Sequence, residues 1–436
     1  MHAIIHRLGR VAPLLLAAAI VGVLLAPVNA RRAAAAGADG LVCAVNDANT
    51  FSLDAREGYI ATPDGNSIYM WSYAESGRSF QLPGPTLCVE SGAQVTVVLH
   101  NTLPEATSVI FPGQLHVRAD GRPAQPAFAG PGGVLSSLTD AAAATNGSVT
   151  YTFTAGSPGT YLYESGTDVA KQREMGLYGA LVVRPAGAHD HANTRADSAF
   201  DADHEYVYVL SEIDPNLHLA VERRQSYDVT KTIARYYLIN GRSMPDTIAP
   251  NFAPWLPSQP YGALIHIRPY DPSDPASRPA LIRYLNAGSV NYPFHPHGND
   301  QRVITRDGHP VEGAGGSDAS YEKFLIDVGP GQSVDTLDQW VNAENWTADA
   351  NPIPVPLPQL QDQIVGPGTE TWFSENPYLG GAPGELPPGI VQNNECGEYY
   401  HVAHSHALEQ ATNYGASFGG MMTLIRIDPP TGCPGQ

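Results

Sequence analysis

Two histidine-rich runs carry the most chemically informative side chains in this sequence. Residues 401–406 read His-Val-Ala-His-Ser-His, and residues 291–298 read Asn-Tyr-Pro-Phe-His-Pro-His-Gly. Alternate side chains of a β-strand project from the same face, so each His-x-His triplet presents two imidazoles together. If the two strands lie side by side, four imidazoles converge, and imidazole is a preferred ligand of copper and other transition metals. The two runs therefore predict a metal site.

The predicted metal ligands are the four histidines that share a face in this arrangement: His295, His297, His404 and His406. His401 has the opposite strand parity to His404 and His406, so we expect it to point away from them and to have a structural role. No residue of the sequence is identified as a catalytic acid, base or nucleophile.

The elements that must position these ligands are strands. The 436 residues include 43 Gly and 38 Pro, and short alternating apolar runs are separated by turn residues, while helical periodicity is nearly absent. This pattern predicts an all-β protein built of β-sandwiches. The predicted strands include two within 87–101 around a Ser-Gly turn, and others at 148–154, 159–163, 177–183, 205–211, 263–268, 280–285, 302–305, 323–327 and 421–427.

A polar stretch of low hydrophobicity divides the strands into two groups. It spans 186–203 and is interpreted as a linker between an N-terminal domain, 40–185, and a C-terminal domain, 204–430. A chain of this length has room for two domains, each with its own core.

The first 36 residues are interpreted as a signal peptide. Arg7 and Arg10 precede an apolar run at 11–28, and small residues follow it. An uncleaved membrane anchor is the alternative, because the run has nearly the length of a short membrane span. Export predicts a secreted, periplasmic or extracellular protein and permits disulfides.

The four cysteines allow three connectivities, and none belongs to a Cys-x-x-Cys pair. We expect Cys43–Cys88 and Cys396–Cys433, because each of these pairs stays within one predicted domain. The net charge of −19 argues against nucleic acid and anionic membranes as partners, since both require a basic surface.

As a set, several motifs along the chain resemble those of the multicopper oxidases. The third copper motif of that family is similar to 285–298, and the fourth corresponds to the His-Ser-His at 404–406 onward. The positions of the first and second motifs correspond to 107–113 and 159–166, and 83–92 is similar to the opening strand pair. The resemblance covers nearly all of the chain after the signal peptide, and it implies two cupredoxin-like, Greek-key β-sandwich domains.

The resemblance also indicates what this chain lacks. The blue copper of the family is held by two histidines and a cysteine thiolate, and Tyr292, Ser405 and Gln410 stand at those positions. A hydroxyl cannot replace the thiolate, so we expect no blue copper site. Of the eight histidines of the oxygen-reducing cluster, only the four in the C-terminal domain remain.

The N-terminal half of the oxygen-reducing cluster has lost its histidines. Ile110 and Pro112 replace the first pair, and Glu164 and Gly166 replace the second. Glu164 is a carboxylate at a ligand position, so it is a candidate fifth metal ligand. Its alternative is an ordinary strand-end glutamate.

Two functional interpretations remain open. The first is an exported copper oxidoreductase with an altered centre, most similar within the family to the proteins associated with bacterial manganese oxidation; a small reductant or Mn(II) is then the substrate, and dioxygen a possible acceptor. The second is a non-catalytic copper-binding or scaffold protein. The substrate, the number of coppers and the formation of homo-oligomers are left open by the sequence.

Overall fold

The computed structural model describes residues 39–341, 363–365, 371–373, 399–417 and 419–428. The predicted signal peptide at 1–36 and the predicted pair Cys396–Cys433 lie outside the described residues. Among the helices within these ranges, none has the length and apolar character needed to cross a membrane.

Strands dominate both parts of the chain. The strands before residue 190 are β1 (Thr50–Ala61), β2 (Ser67–Glu75), β3 (Gly84–Glu90), β4 (Gln94–Asn101), β5 (Leu115–Ala119), β6 (Arg122–Pro123), β7 (Ala127–Ala129), β8 (Val134–Ser137), β9 (Gly147–Thr154), β10 (Gly159–Glu164) and β11 (Tyr178–Arg184). The later strands are β12 (Glu205–Ile213), β13 (Tyr236–Ile239), β14 (Ile265–Ile267), β15 (Ala280–Asn286), β16 (Tyr292–Pro296), β17 (Gln301–Arg306), β18 (His309–Pro310), β19 (Tyr321–Lys323), β20 (Ile326–Val328), β21 (Ser333–Asp338), β22 (Gln363–Val365), β23 (Thr371–Phe373), β24 (Tyr399–Ser405), β25 (Thr412–Asn413), β26 (Ala416–Ser417) and β27 (Met422–Ile427). The helices are α1 (Val169–Glu174) and α2 (Pro215–Glu222), with 3₁₀ turns at Ala196–Ser198, Val229–Lys231, Asp246–Ile248, Ala314–Gly316 and Leu408–Ala411.

The strands before residue 190 form the first sandwich. One sheet has the order β2-β1-β4-β9-β5-β6 and the other has the order β10-β11-β3, with β7 and β8 as a separate hairpin. Their alternating sequences explain the sandwich, as β9 illustrates: Val149, Tyr151 and Phe153 are buried while the residues between them are more exposed. Each strand thus turns one face to a shared core.

The later strands form the second sandwich. One sheet runs β18-β17-β21-β15-β12-β13-β25-β26, with β19 paired to β17, and the other runs β14-β27-β24-β16-β20. Both histidine-bearing strands lie inside the five-stranded sheet, because β24 is flanked by β27 and β16. Strands β22 and β23 pair with each other.

A buried ionic network joins the two sandwiches. Arg283 of β15 is fully buried; its Nε donates to Glu205 at 2.8 Å, and its Nη1 donates to the Thr160 hydroxyl of β10 at 3.0 Å. Thr160 in turn donates to Asp335 of β21. Buried charges are tolerated when they are paired and hydrogen-bonded in this way.

The segment predicted to be a linker packs against the second sandwich. Ala192 and Phe200 are buried in one cluster with Leu281 of β15, and the Asn193 side chain donates to Thr305 at 3.0 Å. Its low hydrophobicity is therefore compatible with an ordered, packed connection.

The all-β prediction is confirmed, and so is the Cys43–Cys88 disulfide, whose Cα atoms are 5.6 Å apart. The single strand predicted at 323–327 is wrong. The chain forms β19 and β20 there, because β19 pairs with β17 of one sheet and β20 pairs with β16 of the other. Phe324 lies in the short crossing between the two sheets.

Candidate metal centre

The two histidine strands pair as the sequence predicts. Strands β16 and β24 are antiparallel, and His295 lies directly opposite His404. Phe294 lies opposite Ser405 in the same ladder, and both of these residues are buried. Alternation therefore sends Phe294 and Ser405 into the sandwich core and the histidines to the other face of the sheet.

The four histidines form one group, which we call the imidazole cluster: His295, His297, His404 and His406. Ring centroids are 4.4 Å apart for His295 and His297, 5.2 Å for His297 and His404, and 5.3 Å for His295 and His406. The Nε2 atoms of His297 and His404 are 3.1 Å apart. All four predicted histidine ligands are thus brought together.

Two backbone carbonyls orient two of these rings. The Nδ1 atom of His295 contacts the Phe324 carbonyl, and Nδ1 of His404 contacts the Ser405 carbonyl at 2.8 Å. A carbonyl can only accept, so a neutral imidazole donates Nδ1–H there and keeps the Nε2 lone pair. This outer hydrogen bond is the usual support of a metal-binding histidine.

Two histidines of the cluster, His297 and His404, favour the neutral imidazole. Burial, followed by the neighbouring imidazoles, lowers the pKa of His297 to about 4. Burial also lowers the pKa of His404, with smaller contributions from His295 and His406. Neutral imidazole is the form that binds a metal, so metal binding near pH 7 does not have to displace a proton from an imidazolium.

The four imidazoles suit copper as ligands, although their rings are not arranged around a single metal position. Within the described ranges, no three His, Cys, Asp or Glu side chains already surround one metal position. The rings are nevertheless neighbours on paired strands, and imidazole nitrogen suits copper, zinc and iron, with copper first in the affinity order. The assignment of copper to this cluster therefore rests on the imidazole chemistry of the four side chains and on their proximity.

The other face of the same strand pair is closed by hydrogen bonds. The Ser405 hydroxyl donates to the Gln410 side chain, whose Nε2 donates to the Asn291 carbonyl at 3.0 Å. These two residues stand where the family resemblance places the blue copper cysteine and a histidine, and the structure brings them into contact. The Ser405 and Gln410 side chains are thus hydrogen-bonded to each other.

Tyr292, the third residue at the blue-site positions, is completely buried beside Glu212. Its hydroxyl and Glu212 Oε2 each lie within 2.0 Å of the point that a Cβ on Gly288 would occupy, so the two oxygens are at most about 4 Å apart. Neither oxygen has a hydrogen-bond partner among the described residues. Among the described residues, this face offers oxygen and amide donors and no thiolate.

The first sandwich contains the corresponding positions with different chemistry. Ile110 pairs with Glu164 across an isolated antiparallel bridge, as His295 pairs with His404 in the second sandwich. A Cβ on Gly166 would lie 2.7 Å from the Ile110 side chain and 3.2 Å from the Ser108 hydroxyl. The space that a histidine side chain at position 166 would need is therefore occupied by Ile110 and Ser108.

Glu164 is paired with an arginine. Its Oε2 lies 3.8 Å from Arg173 Nη1, at the edge of an ion pair, and has no hydrogen-bond partner within the described part of the chain. Burial raises the pKa of Glu164, and Arg173 opposes that rise. Its carboxylate faces Arg173, and its backbone pairs with Ile110 and Tyr178, so its predicted role as a metal ligand remains a prediction.

The sequence pattern did not reveal two residues beside the cluster. Phe324 supplies the carbonyl that contacts His295, and its ring meets the His295 ring edge-on at 5.6 Å. His401 is buried, lies against Gly298 at the end of β16, and lines an open pocket together with His295 and His297. Strand parity places His401 on the opposite face of β24, yet it lines the same pocket as His295 and His297, next to Gly298.

Comparisons with known proteins agree with this architecture. Residues 62–188 match the family model described as multicopper oxidase. Copper resistance protein A of Escherichia coli is 29% identical over 176 residues, which are 38% of this chain and 25% of that protein. The chain therefore matches only a quarter of the length of that curated relative.

Two solved structures share the fold. The blue copper oxidase from Nitrosomonas europaea aligns over 87% of this chain and 85% of its own, with 18% identity and a TM-score of 0.57. Multicopper oxidase mgLAC aligns over 87% and 86%, with 17% identity and the same TM-score. The predicted cupredoxin-like β-sandwich fold is thereby confirmed.

Proposed function

From a multicopper oxidase domain at 62–188 within a cupredoxin-like fold, we propose that this chain is an exported copper-binding oxidoreductase with an altered centre. Its copper is held by the imidazole cluster of the second sandwich. The observation that carries the proposal is the convergence of four imidazoles on one face of the β16–β24 pair, with His295 directly opposite His404.

Each part of the cluster has a definite task. Copper, when bound, supplies one-electron redox chemistry. The carbonyls of Phe324 and Ser405 hold the Nδ1 atoms of His295 and His404, so that their Nε2 atoms are the available donors. Burial of His297 keeps its imidazole neutral for binding.

The electron donor is proposed to approach the cluster directly. In the family resemblance, electrons enter at the blue copper on the inner face of the sheet, where this chain has Ser405 bonded to Gln410. No thiolate stands there, so a small reductant or Mn(II) has to reach the outer face. Dioxygen is the proposed acceptor, and the net charge of −19 argues against nucleic acid as a partner.

Glu164 is the least supported part of the metal site. Its carboxylate would have to leave Arg173, and the partly buried Arg173 guanidinium would then lose this partner. We therefore propose the four histidines as the ligands and treat Glu164 as a separate, testable addition.

The test is the copper content of single-alanine variants. His297→Ala and His406→Ala should each lower the copper bound per chain, and any oxidase activity should fall with it. His309→Ala is the matched control, because His309 is exposed on β18 in the same sandwich but in the other sheet. Unchanged copper in both cluster variants would overturn the proposed site.

A non-catalytic copper-binding protein is the second candidate. It is favoured by the first sandwich, where Ile110 and the contacts of Gly166 fill the positions of the other cluster histidines. The two candidates differ in turnover: copper-loaded protein that consumes no dioxygen with phenols or with Mn(II) would support the second.

A further inference from the structure

Two tyrosines and two glutamates form a repeated arrangement on the surface of the first sandwich. Tyr59 of β1 lies directly opposite Tyr69 of β2, and their rings meet edge-on with centroids 5.6 Å apart. The Tyr59 hydroxyl donates to Glu222, at the end of α2, with a distance of 2.6 Å. The Tyr69 hydroxyl donates to Glu57 of β1 at the same distance. Each phenol therefore has its own carboxylate as a proton acceptor, and the two rings are neighbours.

The tyrosine pair continues inward to a buried indole. Trp71 follows Tyr69 by two residues on β2, so both side chains lie on the same face of the sheet. The indole Nε1–H of Trp71 donates to the Tyr69 hydroxyl at 3.0 Å, and Trp71 belongs to the core of the first sandwich. Tyr59, Tyr69 and Trp71 thus form a chain of electron-rich rings from the surface to the core.

The outer end of this chain is accessible from solvent. Both tyrosines and both glutamates line an open pocket with a volume of about 330 Å³. The hydrogen bond to Glu222 raises the pKa of Tyr59, and burial, followed by the bond to Glu57, raises the pKa of Tyr69. Both phenols therefore keep their O–H at neutral pH, and each can lose an electron and a proton together.

The charge beside a phenol affects how readily it loses an electron. The Glu222 carboxylate accepts the leaving proton of Tyr59, and its negative charge favours removal of an electron from the ring. Tyr414 of the second sandwich is the opposite case, because its ring centroid lies 5.5 Å from the guanidinium carbon of Arg235. A neighbouring cation opposes the loss of an electron.

We propose that Tyr59 is a site of one-electron oxidation by organic peroxyl radicals, with Glu222 as the proton acceptor. The Tyr59 O–H bond breaks: its electron reduces the peroxyl radical to a peroxide anion, its proton passes to Glu222, and a tyrosyl radical remains. The peroxide anion then takes this proton through water and leaves as a hydroperoxide. Tyr69 can supply an electron to the Tyr59 radical while its own proton passes to Glu57 and Tyr59 regains a proton from solvent.

The test is oxidation of the full chain, freed of copper with a chelator, by peroxyl radicals from a water-soluble azo initiator. Peptide mass spectrometry at low conversion measures the modification of each tyrosine. Exposure alone predicts faster modification of Tyr414, which is 59% exposed, than of Tyr59, which is 49% exposed. The proposal predicts the reverse order, by roughly five-fold, which is the effect of one charge at about 4 Å in water.

The variant Glu222→Gln separates the charge from the hydrogen bond. Glutamine keeps an oxygen acceptor of the same size but has no charge and is not a base, so modification of Tyr59 should fall roughly five-fold. Glu322→Gln is the matched control, because Glu322 is an exposed glutamate on β19 of the second sandwich, and it should leave Tyr59 as reactive as in the wild type. Equal modification of Tyr59 in the wild type and Glu222→Gln would overturn the proposal, and so would a wild type in which Tyr414 reacts faster.

The variant Tyr59→Phe tests transfer between the two rings. If oxidation enters at the exposed Tyr59 and spreads inward, modification of Tyr69 should fall in this variant. Unchanged or increased modification of Tyr69 would overturn the transfer step. All of these measurements are made without copper, so their outcome is independent of the proposed copper site.

Discussion

Two strand pairs occupy corresponding places in the two sandwiches and differ in what they carry. In the second sandwich His295 faces His404 across the ladder, and in the first Ile110 faces Glu164. The backbone relation is the same, with one residue opposite one residue on antiparallel neighbours. One pair consists of two imidazoles that are candidate metal ligands, and the other is an apolar side chain beside a carboxylate that pairs with Arg173.

The difference shows that the fold positions side chains without deciding their chemistry. Around Ile110 the space that a further ligand would need is filled, since a Cβ on Gly166 would lie 2.7 Å from the Ile110 side chain. Nearby, the hydroxyls of Ser108, Ser137 and Thr167 bond to one another at 2.8–3.3 Å. At the corresponding described positions, the first sandwich therefore lacks the paired imidazoles that the second sandwich carries.

Removing the paired histidines should have the largest effect. The double variant His295→Ala/His404→Ala loses two of four donors, and we expect its copper affinity to fall by more than about 100-fold, since loss of even an outer-shell partner costs 10–100-fold. Copper analysis after equilibrium dialysis measures this. The control is His100→Ala/His309→Ala, which removes two exposed histidines, one from each sandwich.

An unchanged copper content in His295→Ala/His404→Ala would show that the His295–His404 pair does not bind the metal, and that the two strand pairs do not differ in this respect. Circular dichroism should show a folded all-β protein in both double variants, because the cluster histidines are only partly buried and line the outer face of the sheet.

The cluster was predictable from sequence because it depends on local rules. Alternation along two short runs decides which histidines share a face, and neighbouring apolar residues of opposite parity, such as Phe294, decide which face is the core. The short helix α2 was missed, although Asp214 followed by Pro215 is a helix-start signal and the Asp214 side chain accepts from Asn216 N.

Contacts between distant segments could not be predicted in the same way. Phe324 meets His295 because the chain changes sheets between β19 and β20, and no local pattern encodes that crossing. Likewise, the pairing of Glu164 with Arg173 depends on how α1 packs against the end of β10. The grouping of the four histidines followed from periodicity, whereas the residues around them required tertiary structure.

Asp338 tests the cost of a buried acid in the second sandwich. It accepts from Gln301 at 3.1 Å and has no described ion pair, and burial raises its pKa to about 7. Between its ordinary pKa of about 4 and this value, the folded protein holds a proton that the unfolded chain has lost, so the free energy of unfolding falls as pH rises. The full effect is on the order of 4 kcal/mol.

Asp338→Asn should remove this pH dependence. The metal-free variant should be more stable than the wild type at pH 8, by up to roughly 4 kcal/mol, and little different near pH 4. Urea unfolding at several pH values measures the change. Asp327→Asn, at an exposed position of β20, is the control, and equal unfolding free energies of the wild type and Asp338→Asn at pH 8 would contradict the prediction.

Glu164→Gln should change the free energy of unfolding less than Asp338→Asn does, because Arg173 offsets part of the rise in pKa that burial causes at Glu164. The raised pKa of Glu164 means that its carboxylate destabilises the folded state as pH rises above the ordinary value, and glutamine removes that contribution. Copper content should stay at the wild-type level. A loss of copper comparable to that in His406→Ala would show that Glu164 is a ligand and would join the two regions in one site.

Restoring the thiolate alone is expected to have the smallest effect, which is measured on the visible absorption of the copper-loaded protein. Ser405→Cys places sulfur at the position of the blue copper cysteine, but Gln410 and Tyr292 remain where imidazoles are needed, and Glu212 lies against Tyr292. An intense thiolate-to-copper absorption band requires copper bound to that sulfur within a His₂Cys set. We therefore expect no such band in the copper-loaded wild type or in Ser405→Cys, measured by visible absorption at equal copper content.

The triple variant Tyr292→His/Ser405→Cys/Gln410→His supplies the full donor set and is the comparison to make. A blue band in Ser405→Cys alone would mean that imidazoles reach the inner face of the sheet, and the separation of its two faces would be wrong.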